Sequence, residues 1–184
     1  MLKLIQVCAL IFTLTASFPI FAEWGTSMGS GYGAADLVPL RIGLQKTWCG
    51  KWGRGRAWRV GGYWDLSAFH MTGQQGEEIS SNKQLNGISY SGVFRWKKND
   101  VIFGQLKPFI DIGIGITYLS EREVGGRKLG MNSQFEDRAG IGILFGQHDQ
   151  FELGYRFVHY SNAYIGQDNH GINLHMLILG YWFI

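Results

Sequence analysis

The sequence is poor in cysteine and proline and has no large excess of either charge. Of its 184 residues only 2 are Cys and 3 are Pro, and 17 Lys+Arg stand against 14 Asp+Glu. This weak positive balance does not indicate nucleic-acid binding, and no nucleic-acid partner is expected. Because Cys8 lies in the apolar N-terminal segment, a processed chain keeps only Cys49, which excludes an internal disulfide and a cysteine-based metal site.

That N-terminal segment has the pattern of a secretory signal peptide. Lys3 provides a positive charge, the following residues up to Phe21 are mostly apolar, and the small Ala22 favours cleavage before Glu23. We therefore expect residues 1–22 to be a signal peptide and residues 23–184 to form one β-barrel domain. No later stretch reaches the roughly 18 consecutive apolar residues of a transmembrane helix.

What the sequence does contain is glycine, aromatic residues and a period of two. Glycine occurs 27 times and aromatic residues make up 15% of the chain. Apolar and polar residues alternate in segment after segment, as in half-buried β-strands. Seven segments are clear and a Gly/Ser-rich eighth is weaker; they cover about residues 25–33, 38–45, 58–68, 87–96, 110–118, 134–145, 151–158 and 172–184.

The two parities of these segments favour a membrane barrel over a water-soluble sandwich, which would alternate in the same way. The polar parity is rich in glycine and in charges of both signs, which suits the narrow interior of an eight-stranded barrel. The apolar parity is bulky, as a lipid-facing band requires. We predict an all-β, eight-stranded antiparallel transmembrane β-barrel in a Gram-negative outer membrane. The aromatic-rich last strand predicts recognition by the barrel assembly machinery, although it ends in Ile184 rather than Phe.

The connections between the segments predict the direction of the strands. Residues 71–84 and 120–131 are long polar connections, whereas residues 147–149 form a short turn. Long loops are extracellular and short turns periplasmic in such barrels. Residues 49–56 would then be a rather long periplasmic turn, and the seventh segment would run towards the cell surface.

A histidine and a serine stand at the end of the seventh segment. His159 and Ser161 share the parity of Phe151, Leu153, Tyr155 and Phe157, so both are predicted to point outward near the extracellular rim. Neutral histidine has the basicity needed to activate a serine hydroxyl. Spacing alone leaves open that the pair are ordinary polar residues of the membrane interface.

Other motifs in the chain are weaker. Residues 25–29 match G-x-S-x-G, but a nucleophile elbow needs a strand before the serine and a helix after it. His159, Asp168, His170 and His175 lack the spacing of metal ligands, so no metal site is expected.

The chain resembles the PagL family of outer-membrane lipid A 3-O-deacylases. The resemblance rests on residues 159–163 (HYSNA) with Asn169, Gly171 and Ile172, and on four further matches: residues 62–65, 107–110, 113–115 and 135–138. It implies that Ser161 attacks the ester at the 3 position of lipid A, with His159 as general base and then general acid. Asn162, with neighbouring groups at Ala163 and Asn169, would bind the oxyanion and the substrate. No cofactor is implied, lipid A or lipopolysaccharide is the expected partner, and a homodimer is left open.

The chain departs from the family pattern at the third catalytic position. The family's glutamate aligns with Asn173, whose oxygen can accept a hydrogen bond from histidine but carries no charge. Asp168 is the alternative third member. Tyr164 also stands where the family pattern has glycine. The alternative functions are a non-enzymatic barrel, structural or adhesive, and lipid A palmitoyl transfer, which would need an acyl pocket inside the barrel.

Overall fold

The computed structural model describes residues 23–48, 52–54, 57–73, 83–166 and 168–183. The predicted signal peptide, residues 1–22, lies outside the described residues. Within the described ranges, no helix has the length and apolarity needed to cross a membrane.

Eleven β-strands and one short 3-10 turn, Ala34–Asp36, make up the secondary structure of the described residues. The strands are β1 (Trp24–Gly33), β2 (Leu37–Thr47), β3 (Trp52–Arg54), β4 (Trp58–Gly73), β5 (Gln84–Lys98), β6 (Lys107–Leu119), β7 (Glu123–Val124), β8 (Arg127–Lys128), β9 (Ser133–Phe145), β10 (Phe151–Ser161) and β11 (Ile172–Phe183). The weak eighth segment is thus a strand, β1. Strands β4 and β5 also extend into the predicted loop 71–84.

Eight long strands close into an antiparallel barrel in the order β1, β2, β4, β5, β6, β9, β10, β11. Strand β1 pairs with β11, from Trp24 opposite Phe183 to Gly33 opposite Leu174, and this pairing closes the ring. Closure leaves no unpaired edge, which is the condition for β-strands to exist in lipid. The predicted eight-stranded antiparallel barrel is confirmed. The short strands β3, β7 and β8 lie outside the ring.

The two parities face opposite sides of the barrel wall, as predicted. Apolar side chains of the outward rows are widely exposed, for example Ile114 at 64% and Ile116 at 62%. A water-soluble protein does not leave so large an apolar band uncovered, whereas lipid covers it in a membrane. The last strand is apolar on both parities because its inward residues, from Ile172 to Ile178, are buried in a core cluster.

The barrel interior is polar in the middle and apolar at both ends. The loop end, where β10 ends and β11 begins, holds a cluster that includes Met71, Leu129 and Tyr160. The turn end, which holds residues 146–150, has a smaller cluster around Tyr63 and Trp182. Between them lie four buried arginines and four buried carboxylates: Arg41, Arg95, Arg138, Arg156, Asp65, Asp111, Glu136 and Glu152. Polar and apolar side chains of the described residues thus occupy the interior, which argues against an acyl pocket inside the barrel.

Ion pairs bind the interior charges across the ring. Arg41 donates to Glu136 Oε2 at 2.8 Å and to the Tyr160 hydroxyl at 2.8 Å, which links β2, β9 and β10. Arg95 similarly joins Asp111 at 2.7 Å to Glu152 at 2.8 Å. Buried charges are tolerated only when they are paired in this way. Because Tyr160 is anchored inside, its two neighbours in β10 must point outward.

Candidate active site

Strand β10 presents two different faces at its loop end. Val158, Tyr160 and Asn162 are buried on the inner side, whereas His159 and Ser161 are half-buried on the outer side. Successive side chains of a strand point to opposite faces, so this alternation follows from the strand geometry. The structure places His159 and Ser161 on the outer wall, in agreement with the prediction.

His159 has a hydrogen-bonded partner on the neighbouring strand. Asn173 of β11 is its register partner, and His159 Nδ1 lies 2.6 Å from Asn173 Oδ1. An amide oxygen only accepts hydrogen bonds, so this contact requires the proton on Nδ1. Nε2 then carries a free lone pair and is the atom able to accept a proton.

Ser161 occupies the next outward position along β10 from His159. The two Cα atoms are about 7 Å apart along a strand at this spacing. Within the described ranges no hydrogen bond joins Ser161 to His159. Nucleophile–base contacts are often long without substrate and shorten in the reactive complex. The site therefore has the right residues on one face, with the Ser–His contact not formed.

Asn162 holds the loop that follows β10. Its side chain is 1% exposed, and its amide nitrogen donates to the carbonyl oxygens of Leu129 at 2.8 Å and Asp168 at 2.6 Å. Its backbone N–H donates to Asn169 Oδ1 at 3.0 Å. Both hydrogens of the Asn162 side-chain amide thus bind backbone carbonyls. The side-chain amide nitrogen of Asn169 forms no hydrogen bond among the described residues.

The two candidates for the third catalytic residue are placed differently. Asn173 contacts the imidazole directly. Asp168 is exposed, and its backbone carbonyl accepts a hydrogen bond from the side-chain amide of Asn162. No hydrogen bond or ion pair joins Asp168 to His159 in the described part of the chain. The geometry therefore favours Asn173 over Asp168 as the group that orients His159.

A small hairpin made by β7 and β8 covers the loop between β10 and β11, a contact that the sequence did not reveal. Arg127 Nε donates to the Gly171 carbonyl at 2.7 Å, and Arg127 Nη2 donates to the His170 carbonyl. The backbone N–H of His170 donates to the Lys128 carbonyl at 3.1 Å. The backbone of His170 therefore joins the loop to the hairpin. No group of metal-binding residues occurs within the described ranges.

Backbone conformation around the site is unusual at three positions. Ala163 and Tyr164 have φ values of 51° and 60°, a region that favours glycine, and Tyr164 is 83% exposed. Gly171 has φ 59°, and a Cβ added there would lie 3.1 Å from His159 Cε1. Glycine at 171 thus lets the backbone pass close to the imidazole.

An apolar groove opens on the outer wall beside Ser161. Its cavity volume is about 520 Å³, and its lining is almost entirely apolar. Phe135, the register partner of Ser161, lines it together with Ile165 of the following loop. The other outward lining residues of the barrel strands belong to β4, β5, β6 and β9: Leu66, Ile88, Tyr90, Ile116, Tyr118 and Ser133. The groove has the shape and chemistry to hold a hydrocarbon chain that reaches Ser161.

Comparison with known proteins agrees with the predicted family and the barrel. The family model described as lipid A 3-O-deacylase (PagL) matches residues 39–182. The chain is 35% identical to lipid A deacylase PagL of Pseudomonas aeruginosa over 140 residues, which cover 76% of this chain and 75% of the relative. It is 26% identical to lipid A deacylase PagL of Bordetella bronchiseptica over 171 residues, which cover 92% of this chain and 75% of that relative.

A solved structure matches as well. The crystal structure of the outer membrane enzyme PagL superimposes with a TM-score of 0.76 at 30% sequence identity, covering 85% of this chain and 98% of that chain. The protein is an integral β-barrel of the outer membrane. By the family match and by these similarities, the chain belongs to the PagL family of lipid A 3-O-deacylases.

Proposed function

We propose that this protein hydrolyses the ester-linked acyl chain at the 3 position of lipid A, with Ser161 as nucleophile and His159 as base. One observation carries the proposal: the His159–Asn173 pair lies beside Ser161 on the outer wall of a membrane barrel. An esterase site exposed to lipid has its substrate in the membrane itself. Membership of the PagL family supports lipid A as that substrate.

The first half of the reaction forms an acyl-enzyme. His159 Nε2 accepts the proton of the Ser161 hydroxyl while Oγ attacks the ester carbonyl. The tetrahedral intermediate then collapses, the bond to the sugar oxygen breaks, and His159 returns its proton to that oxygen. The hydrogen bond to Asn173 keeps the proton on Nδ1, so that Nε2 stays the reactive nitrogen throughout.

The second half releases the fatty acid. Water attacks the acyl-enzyme carbonyl while His159 Nε2 accepts its proton, and collapse of this intermediate regenerates the Ser161 hydroxyl. Lipid A 3-O-deacylation therefore yields a free fatty acid and a lipid A that carries a hydroxyl at the 3 position. No cofactor enters either half of the reaction.

The oxyanion of each intermediate needs hydrogen-bond donors near Ser161. The candidate residues are Asn162, Ala163 and Asn169. Their hydrogen bonds indicate different roles. The amide of Asn162 is engaged with two carbonyls, so its contribution is to hold the loop. We assign the donors to the Asn169 side-chain amide nitrogen and the Ala163 backbone N–H, neither of which donates a hydrogen bond within the described residues.

The apolar groove supplies the binding site for the acyl chain. It begins beside Phe135, opposite Ser161, and follows the outer wall over β6 and β5. Burial of a hydrocarbon chain there contributes roughly 0.8 kcal/mol per methylene group transferred from water, although much of this is already provided by the bilayer. The groove thus serves to orient the ester more than to bind it tightly. We place this wall at the outer leaflet, where lipopolysaccharide lies.

Expression in a heterologous Gram-negative outer membrane tests the proposal. Mass spectrometry of lipid A should show loss of the 3-linked acyl chain with the wild-type protein. The Ser161→Ala variant, produced as a folded barrel in equal amount, should leave lipid A unchanged. Unchanged lipid A with folded wild-type protein would favour the non-enzymatic alternative, and full activity of Ser161→Ala would exclude Ser161 as nucleophile. Recognition by the barrel assembly machinery and a homodimer stay predictions.

A further inference from the structure

A second pair of a histidine and a hydroxyl lies on the outer wall, at the loop end of β4. His70 and Thr72 alternate with the buried Phe69 and Met71 on this strand, so both point outward. Asn86 of β5 is the register partner of His70. The order of the three residues is the same as in β10 and β11: a histidine, a hydroxyl two residues later, and an asparagine across the ladder.

The order of strands in the barrel separates these residues from the candidate active site. Strand β4 is the third of the ring and β10 is the seventh, so they lie on opposite sides of the eight-stranded barrel. Neighbouring strands of an antiparallel ring alternate in direction, so the third and the seventh run the same way. The two groups of residues are therefore at the same end of the barrel, on opposite walls.

Hydrogen bonds connect all three side chains on β4 and β5. His70 Nδ1 lies 2.8 Å from Asn86 Oδ1, and Thr72 Oγ1 lies 3.2 Å from His70 Nε2. The amide oxygen only accepts, so the imidazole proton is on Nδ1, and Nε2 accepts a hydrogen bond from the Thr72 hydroxyl. The hydroxyl is thus already in contact with the base, a contact that Ser161 and His159 do not form within the described ranges.

Neighbouring residues hold the asparagine and offer a hydrogen-bond donor. The backbone N–H of Asn86 donates to Ser120 Oγ at 3.0 Å, and the Ser120 N–H donates to the Asn86 carbonyl at 2.8 Å. Gln84 is the register partner of Thr72 and is exposed on the same face. Its side-chain amide forms no hydrogen bond with another described residue, so it is available to donate to an oxyanion formed at Thr72.

An apolar groove opens on the wall next to these side chains, on the side of the turn end. Its cavity volume is about 660 Å³. Ala68 and Ile88, the next outward residues after His70 and Asn86, line it together with Leu66. The small side chain of Ala68 leaves space beside His70. An acyl chain that lies in this groove has its ester at the level of the three polar side chains.

We propose that His70, Thr72 and Asn86 form a second esterase site, which hydrolyses an acyl ester of a glycerophospholipid. His70 Nε2 takes the Thr72 proton while Oγ1 bonds to the ester carbonyl carbon. The bond to the glycerol oxygen then breaks, and that oxygen receives the proton. Water attacks the acyl-threonine, its proton passes to Nε2 and then to Thr72 Oγ1, and the fatty acid is released.

The threonine hydroxyl determines the class of substrate. It is a secondary hydroxyl, so it reaches a crowded ester carbonyl less easily than the primary hydroxyl of Ser161 does. The ester at the 3 position of lipid A is carried by a substituted ring carbon, whereas one ester of a glycerophospholipid is carried by a primary carbon. The second site therefore acts on a different lipid, and it does not depend on the proposed function.

Fatty acid release by the full-length barrel in a Ser161→Ala background tests the proposal. In mixed micelles with phosphatidylethanolamine this protein should release fatty acid, and Thr72→Val and His70→Gln should each lower the rate about tenfold or more. Thr72→Ser should keep or raise the rate, which separates the hydroxyl from the shape of the side chain. Ser30→Ala, which removes an outward hydroxyl from β1, is the matched control and should leave the rate unchanged.

Covalent labelling gives a second readout that does not require turnover. An alkyl fluorophosphonate should modify Thr72 in the Ser161→Ala protein, as located by mass spectrometry of its peptides, and His70→Gln should abolish the label. Asn86→Leu should slow the labelling about tenfold or more, because the imidazole loses its orientation. Asn86→Asp, which keeps a hydrogen-bond acceptor, should restore it.

Equal rates of fatty acid release with and without the Thr72 hydroxyl would overturn the proposal, and so would a Thr72 that takes no label. Loss of the 3-linked chain of lipid A that depends on Thr72 would overturn the assignment to glycerophospholipids. All variants are compared as folded barrels in equal amount. Because Ser161 is absent from each of them, these results are independent of whether Ser161 deacylates lipid A.

Discussion

The two faces of β10 at its loop end differ in burial and in the number of hydrogen bonds that their side chains form. On the inner face, Tyr160 and Asn162 are buried and donate or accept hydrogen bonds with three other parts of the chain. On the outer face, His159 has one partner and Ser161 has none among the described residues. The inner face fixes the position of the strand end and of the following loop. The outer face leaves Ser161 Oγ and His159 Nε2 without a hydrogen bond among the described residues. Variants on the two faces should therefore separate stability from activity.

The largest expected effect is on the outer face. His159→Ala removes the base and should lower kcat by about 10³-fold or more, since a positioned base contributes about 10²–10⁴. Stability should change by less than about 0.5 kcal/mol, because the side chain is half-buried and holds only Asn173. Lipid A mass spectrometry and urea unfolding in detergent measure the two quantities. A large loss of stability would contradict the division between faces.

Asn162→Ala tests the inner face. The change leaves two carbonyls without their donor and should cost about 2–3 kcal/mol of unfolding free energy, local to the loop. Activity should fall about 10- to 100-fold, because the loop that carries Asn169 and Gly171 loosens. Protease cleavage within residues 163–171 reports the loosening. Asn132→Ala, which removes a side-chain amide that donates to the Leu119 carbonyl at 2.8 Å, is the matched control that spares the contacts of Asn162. Normal protease resistance would contradict the assignment.

Gly171→Ala tests the position at which the loop backbone passes close to both His159 and Tyr160. Its methyl group would lie 3.1 Å from His159 Cε1 and 3.1 Å from the Tyr160 carbonyl, at a φ of 59°. We expect a loss of about 1 kcal/mol in stability and about tenfold in kcat, because the imidazole must move. Gly126→Ala, at φ 74° with open space around it, reports the cost of the backbone strain alone and should leave kcat unchanged. Equal kcat values for the two variants would mean that the imidazole does not move.

The smallest effect is expected at the turn end, far from the site. Partial burial opposes ionisation of Asp149, but hydrogen bonds from Lys107 and Lys97 outweigh it and lower the pKa of this carboxyl. A lowered pKa adds stability above the unfolded pKa of about 3.9, and the gain is lost as pH falls through the folded pKa. Asp149→Asn should therefore cost about 0.5 kcal/mol at pH 7 and nothing well below pH 3.

The measurement for this last variant is urea unfolding at both pH values, with deacylation followed in parallel. Activity at pH 7 should equal that of the wild-type protein, because Asp149 precedes β10 and Ser161 lies at the opposite end of this strand. A stability difference that persists unchanged at low pH would show that charge is not its cause.

Sequence alone determined the eight barrel strands, their parity and the outward placement of His159 and Ser161, because a period of two assigns each residue to a face. The family resemblance aligned Asn173 with the third catalytic residue and left Asp168 as the alternative. The sequence did not reveal the hairpin of β7 and β8 on the loop or the buried contacts of Asn162, since short polar segments have no periodicity that predicts where they dock.

The neighbours of His159 were decided by the tertiary structure. A two-residue shift between adjacent strands preserves the apolar pattern completely, so alternation cannot select among even shifts of register. Closure of the barrel and the paired interior charges, such as Arg41 with Glu136, select one of them. That choice brings Asn173 to one side of His159 and Asp137 to the other.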